Sequence, residues 1–246
     1  MEEYLNEVEK DYKICEKINL SLLMIYIINF LLSFLLLFFE SNIIVNILIV
    51  THIIYFIISS INDMILFNFA ESERLKTNIS NAYDIDISMK KTIGYYNNDE
   101  HKNGINKFGI NCFESVFHSK SISKIMLSSE TIKIVISSIL WLIIILNFND
   151  KNFILCITQT LFSGELLNNY LKLIYYNYKN NLIFNNFYSI FVTSKYSTKK
   201  EPLLLNYIIE YESTKRYSHI LLSSSIFNKN KEKLTNEWEE IKNKIQ

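Results

Sequence analysis

Between Leu20 and Phe39 the chain reads LSLLMIYIINFLLSFLLLFF without one charge, long enough as a helix to cross roughly 30 Å of hydrocarbon. Ile43 to Ser60 (IIVNILIVTHIIYFIISS) repeats the pattern after a short turn, Glu40-Ser41-Asn42, so the two stretches predict a hairpin across a bilayer. Ile132 to Phe148 (IKIVISSILWLIIILNF) predicts a third span, with Lys133 snorkelling to the headgroups. After Asn149-Asp150-Lys151-Asn152 a weaker fourth apolar stretch runs from Phe153 to about Leu173.

The polar parts carry a different period. Leu5, Val8, Tyr12 and Cys15 fall on one face of a helix leading into the first span. Leu234, Trp238, Ile241 and Ile245 form a second stripe after a cap expected at Thr235 or Asn236. Pro202 suits the start of a helix that carries Leu204, Ile208 and Tyr211 on one side and runs on through EYESTKRYSHILL. Between Ser60 and Ile93 there is neither glycine nor proline, so the second span is expected to continue as a stalk through FNFAESERLKTNISNAYD.

These patterns predict an all-α membrane protein: four transmembrane helices in two hairpins, with a cytoplasmic helical bundle. The expected divisions are an amphipathic helix at 1–18, the first hairpin at 19–60, a stalk and loop at 61–131, the second hairpin at 132–173 and a helical tail at 174–246. Lys10, Lys13 and Lys17 before the first span, and Arg74, Lys76, Lys90 and Lys91 after the second, outnumber Lys151 in the turns. The positive-inside rule then places both termini and the central segment in the cytoplasm. A secretory signal peptide is not expected, because the first apolar run is too long and no small-residue cleavage site follows.

Composition agrees, with 49% hydrophobic and 20% charged residues. A formal net charge of zero gives no support to nucleic-acid binding through a basic surface. The three cysteines are scattered without CxxC spacing, and the histidines form no metal-ligand pair, so neither a metal nor another cofactor is expected. Gly104 and Gly109 lack the lysine and hydroxyl that complete a phosphate loop, and no HExxH, GxSxG or GxGxxG occurs, which makes an enzyme the weaker class.

Two groups of candidates remain. TIGYYNNDEHKNGINKFGIN holds three of the chain's four glycines, so conformational freedom is expected between Gly94 and Gly109. Within it Tyr95, Tyr96, Asn97, Asn98, Asp99 and His101 are candidates for a hinge or for contact with a small ligand such as a nucleotide, although an exposed turn would read the same. The second group lies in the spans. His52 falls mid-span, where its default role is a hydrogen bond to a neighbouring helix. Thr158, Gln159, Ser163 and Glu165 give the fourth stretch a polar side that must face protein or a pore. Glu212 with Lys215 and Arg216 reads as solvated helix-surface pairing.

After the second span, Ile79-Ser80-Asn81-Ala82-Tyr83-Asp84 keeps the isoleucine, an aromatic and the aspartate of an Ile-Gln-Glu-x-Phe-Asp element. With two hairpins, a central cytoplasmic segment and a helical tail, the chain resembles the bacterial four-transmembrane effectors associated with cyclic-oligonucleotide signalling in anti-phage defence. The resemblance implies an oligomeric effector that disrupts the inner membrane on an infection signal, delivered by a nucleotide second messenger or a cytoplasmic defence protein. A homo-oligomer is also expected because four thin helices do not enclose a hydrated path and the Leu5–Cys15 stripe needs a partner. The alternative is an anchor or adaptor that recruits a cytoplasmic enzyme; a transporter subunit would carry denser polar groups in its spans.

Overall fold

A computed structural model describes residues 5–36, 38–39, 41–147, 154, 158, 164–193 and 200–245. Helix α1 spans Glu9–Leu35 and α2 spans Asn42–Ile61. A π-helical turn, Asn62–Phe67, joins α2 to α3 (Asn68–Tyr83) without a break, so Asn42–Tyr83 is one rod of 42 residues. The second long rod is α4, Ile105–Asn147. Helix α5 (Gly164–Tyr188) ends in a π-helical turn at Ser189–Thr193, and α6 (Lys200–Ser218) and α7 (Ser224–Lys242) follow.

Three helical stretches, in α1, in the α2–α3 rod and in α4, are long and apolar enough to cross a membrane. Their side chains have almost no cover within the chain. Ile136, Ile139, Leu140 and Ile143 of α4 are about half exposed, as are Leu23, Ile27 and Leu31 of α1. Water would make this arrangement costly by roughly 25 cal/mol per Å² of apolar surface, and lipid removes that cost. The chain is a membrane protein on this ground.

Polar ties set the helix directions. Thr51 Oγ1 donates to Asn29 Oδ1 at 2.6 Å and Asn62 Nδ2 donates to Asn19 Oδ1 at 2.8 Å, an order that makes α1 and α2 antiparallel. Asn177 Nδ2 meets Ser123 Oγ at 2.9 Å and the Tyr170 hydroxyl meets Thr131 Oγ1 at 3.1 Å, which makes α4 and α5 antiparallel too. The α1 segment of the N-terminal stripe finds its partner inside the chain: Val8 and Cys15 are buried, and the Tyr12 hydroxyl reaches Glu71. Leu5 departs from the helical reading. With Asn6 it forms strand β1, paired antiparallel to β2 (Thr92–Ile93) in the register Leu5↔Ile93.

Away from the exposed apolar stretches, α3, the first half of α4 and α5–α7 share one core. Phe113 of α4 is its hub, with ring centroids 5.8 Å from both Phe187 of α5 and Phe191 of the π-helical turn after it, and 5.3 Å from Trp238 of α7. Leu204, Ile208 and Tyr211 of α6 are buried on the face their spacing predicts. Leu234 and Trp238 are buried too, but Thr235 and Asn236 are helix interior. Ser223 caps α7 instead, its Oγ accepting from the Ile226 amide at 3.3 Å. Helix α6 stops at Ser218 because His219 turns into the left-handed region at φ 49°.

The glycine-rich break is also placed differently. The irregular segment runs from Asp84, which ends α3 at φ 55°, to Gly104, whose amide donates to the Ala82 carbonyl at 2.8 Å with φ +133°. Gly109 lies inside α4 and is a packing glycine: a Cβ there would sit 3.1 Å from Phe191 Cζ and 3.2 Å from Leu204 Cδ2. Gly109→Val is therefore expected to lower stability by about 1–3 kcal/mol through overpacking. Thermal unfolding in detergent micelles checks this; an unchanged midpoint would show that α4, α5 and α6 do not meet so closely.

Candidate functional site

The break between α3 and α4 folds back onto both helices. Asn98 is fully buried, and its Nδ2 donates to Asn111 Oδ1 and to Glu114 Oε2, both at 2.9 Å. Asn111 in turn donates to Asn78 Oδ1 at 3.0 Å and Asn81 Oδ1 at 2.9 Å. Buried amides bonded in this way cannot move singly, so the network ties the segment to both rods, although Asn98 Oδ1 has no partner among the described residues. Burial pushes the Glu114 carboxyl up to about 7, against the hydrogen bond from Asn98 and the charge of Lys242.

Six sequence candidates therefore part company. Tyr96 is buried beside Tyr95, with ring centroids 4.7 Å apart, and Asn98 is architecture. Tyr95 and Asn97 are exposed, and the Asn97 carbonyl accepts from Lys242 Nζ at 2.6 Å. Asp99 pairs with Lys107 at 2.8 Å, and Glu100 with Lys242 at 2.9 Å. Of the six, His101 lines a cleft of about 270 Å³, shared with Lys102, Asn106, Ile110, Phe191, Lys200 and Ile245. Burial lowers the His101 pKa; Glu100 opposes the shift, and Lys242, Lys200 and Lys107 add to it. Phe191 and Lys200 are distant from His101 in sequence and only the α4–α5–α6 packing delivers them. The Ile79–Asp84 element forms the last turn of α3 and its end, with Tyr83 edge-on to Phe108 at 6.3 Å.

Nearer the apolar stretches lies a second polar centre. Arg74 of α3 donates through Nε to Glu71 Oε2 at 2.7 Å and through Nη2 to Glu212 of α6. Lys215 Nζ is 2.9 Å from Glu71 Oε1, to which the Tyr12 hydroxyl of α1 also donates, at 2.8 Å. All four charged residues are less than a tenth exposed. Glu212 and Lys215 are thus buried partners of α3, where the sequence pattern reads as surface pairing. Burial pushes the Glu71 pKa up, but Lys215 and Arg74 outweigh it and hold the carboxyl at about 2. Two cations and two anions balance, which keeps the cluster neutral as a whole.

Within the apolar stretches, His52 is exposed, and its Nδ1 lies 2.8 Å from the Leu48 carbonyl of its own helix, not of a neighbour. Asn29 and Ser33, which sequence reasoning passed over, are the buried polar residues of α1. Thr158 accepts from Trp141 Nε1 at 2.8 Å and donates to the Ile154 carbonyl at 2.6 Å, so it is used in helix packing. Gln159, Ser163 and the side chain of Glu165 lie outside the described residues.

Compared with protein-family models, with curated proteins and with solved structures, the chain matches none.

Two pH effects follow from these centres. The lowered Glu71 pKa contributes stability that is complete above about pH 4.5, the usual carboxylate value, and is lost as pH falls toward 2. Glu71→Gln is expected to cost about 3–5 kcal/mol at neutral pH and to flatten that acid limb. Glu114 has the opposite sign: its raised pKa favours the folded state at low pH, and this contribution is lost as pH rises through about 7. Glu114→Gln is expected to raise the unfolding temperature at pH 8 relative to its effect at pH 5. Unfolding curves in micelles across pH check both, and coincident profiles for wild type and either variant would refute the corresponding assignment.

Proposed function

We propose that this chain is a regulated membrane-disrupting or pore-forming effector of the bacterial inner membrane. In this reading four spans in two hairpins answer to a helical bundle on the cytoplasmic side, and the protein acts as a homo-oligomer in anti-phage defence. The observation that carries the reading is mechanical. Two helices, Asn42–Tyr83 and Ile105–Asn147, run unbroken from the shared core into apolar stretches that the chain leaves uncovered. A displacement at the core end of α4 is transmitted as a tilt of its membrane end, because a helix bends little without proline or a broken hydrogen-bond ladder, whereas the π-helical turn at Asn62–Phe67 gives the other rod a place to bend.

The asparagine network favours such coupling, since it makes the two rods move together at one end. The lysine and arginine asymmetry supports the cytoplasmic placement of the bundle. Defence rests on the resemblance carried by Ile79–Asp84 and the order of segments. The oligomer rests on the number of helices needed to surround water, since the Val8–Tyr12–Cys15 face is already partnered within the chain.

A second reading, the anchor or adaptor, is favoured by the outer face of α6. Leu205 and Ile209 are half exposed there and Tyr217 more so, outside the apolar stretches. Apolar side chains in that position suit a docked protein partner.

Expression in bacteria with a voltage-sensitive dye separates the two. The effector reading expects depolarisation by wild type, and its loss when a Gly-Gly-Ser insertion after Ser129 uncouples the two halves of α4 at equal membrane abundance. Unchanged potential with the wild-type protein inserted removes the effector reading and leaves the adaptor. Reporter fusions at Asn98 and Gln246 are both expected to give a cytoplasmic signal; a periplasmic signal at either would remove the four-span arrangement.

A further inference from the structure

We propose that the cleft between the starts of α4 and α6 is a binding site for a small soluble ligand that carries a phosphate group beside an apolar or aromatic moiety. His101, Lys102, Asn106 and Lys200 are its polar lining residues, and among the described residues no aspartate or glutamate lines it. Two acids close by are already paired: Glu100 with Lys242 at 2.9 Å, its Oε1 also lying 3.6 Å from His101 Nε2, and Asp99 with Lys107 at 2.8 Å. Lys102 and Lys200 have no carboxylate partner among the described residues. Two ammonium groups, Lys102 and Lys200, border one cleft without a carboxylate between them, an anion offsets their charge, and His101, kept neutral by burial, adds an imidazole that can hydrogen-bond.

The backbone adds to the same field. Asn106 lies in the first turn of α4, a helix of 43 residues, and Lys200 begins α6, so the positive ends of two helices border the cleft. First-turn amides have no partner within their own helix, and the helix dipole favours an anion there. Glu201, in the first turn of α6, offsets part of this charge but does not line the cleft.

The floor explains the second half of the ligand. Ile110 and Phe191 form it, and Phe191 is fixed by stacking on Phe113 at 5.8 Å. Lys200 Nζ lies 5.0 Å from the Phe191 ring centroid, so the cation sits beside an aromatic surface. At about 270 Å³ the cleft falls at the small end of ligand pockets, which run from roughly 300 to 1,000 Å³. A single phosphate with one ring suits that volume. A lipid headgroup is the other source of the same chemistry. About 27 residues of α4 separate its start from the apolar stretch at Ile132, roughly 40 Å of helix at 1.5 Å per residue, which puts bilayer phosphates out of reach.

This site stands on its own geometry, whether or not the spans conduct, and its test reads binding alone. The full chain in nanodiscs of phosphatidylcholine is titrated with phenyl phosphate, inorganic phosphate and phenol. Phenyl phosphate is expected to bind tightest, inorganic phosphate several-fold more weakly, and phenol not measurably. Lys102→Gln and Lys200→Gln are each expected to weaken phenyl phosphate about tenfold, while Lys179→Gln, on a surface pair with Glu210, leaves it unchanged. Lys102 is exposed, so its variant retains the fold even if Lys200→Gln loses the ring contact. No saturable binding of phenyl phosphate below about 1 mM, or equal binding by the Lys102 variant, overturns the site. Loss of binding in nanodiscs that contain phosphatidylglycerol overturns the soluble source and assigns the cleft to lipid.

Discussion

Arg74 cannot be buried alone. A guanidinium taken out of water costs several kcal/mol unless its donors are matched, and here two carboxylates from different helices take its Nε and Nη2 donors, while Nη1 has no partner among the described residues. Glu71 lies one turn away on α3 and Glu212 comes from α6, while Lys215 returns the balance to zero and Tyr12 brings in α1. An ion cluster of this kind is weak as a source of net stability compared with apolar packing. Its effect is on alignment, because a shift of one helix past another strands a buried charge. The cluster thereby sets where α1, α3 and α6 cross, close to where the uncovered apolar surface begins.

From that crossing the rest of the arrangement follows. The α2–α3 rod is held by the charge cluster near the apolar stretch and by the asparagine network at its far end. Helix α4 shares the asparagine network and meets α6 through the Ser119–Tyr211 hydrogen bond at 3.1 Å. The two π-helical turns fall where a helix passes from one environment to another. Asn62–Phe67 sits between the exposed apolar face of α2 and the buried polar face of α3, and Ser189–Thr193 ends α5 beside the aromatic core. An extra residue in a turn rotates every later side chain about the axis, which is a means of changing the buried face without ending the rod.

The aromatic hub around Phe113 and the basic cleft are adjacent, since Phe191 belongs to both. A ligand held against Phe191 would press on the same ring that packs over Gly109. Whatever occupies the cleft therefore bears on a ring that packs directly against the α4 backbone at Gly109.

Long charge-free runs and period-3.6 stripes were legible in the residues alone, because lipid exposure and helix geometry each impose a local composition. That is why α2, the α3 continuation, and the inward faces of Leu204, Ile208 and Tyr211 or of Leu234 and Trp238 could be read directly. What the residues withheld depends on neighbours far along the chain. Glu212 and Lys215 have the spacing of a solvated pair and become core only because Arg74 and Glu71 arrive from more than a hundred residues away. Asn98 and Tyr96 have turn composition, yet both are buried, Asn98 by its bonds to Asn111 and Glu114 of α4. Gly109 has the look of a flexible joint, but Phe191 and Leu204 crowd it into a packing contact. The cleft combines His101 with Lys200 and Phe191, a grouping without any local period. Burial and charge pairing are properties of assembled helices, so local pattern determined the elements, while packing decided which polar groups are structure and which remain open to a ligand.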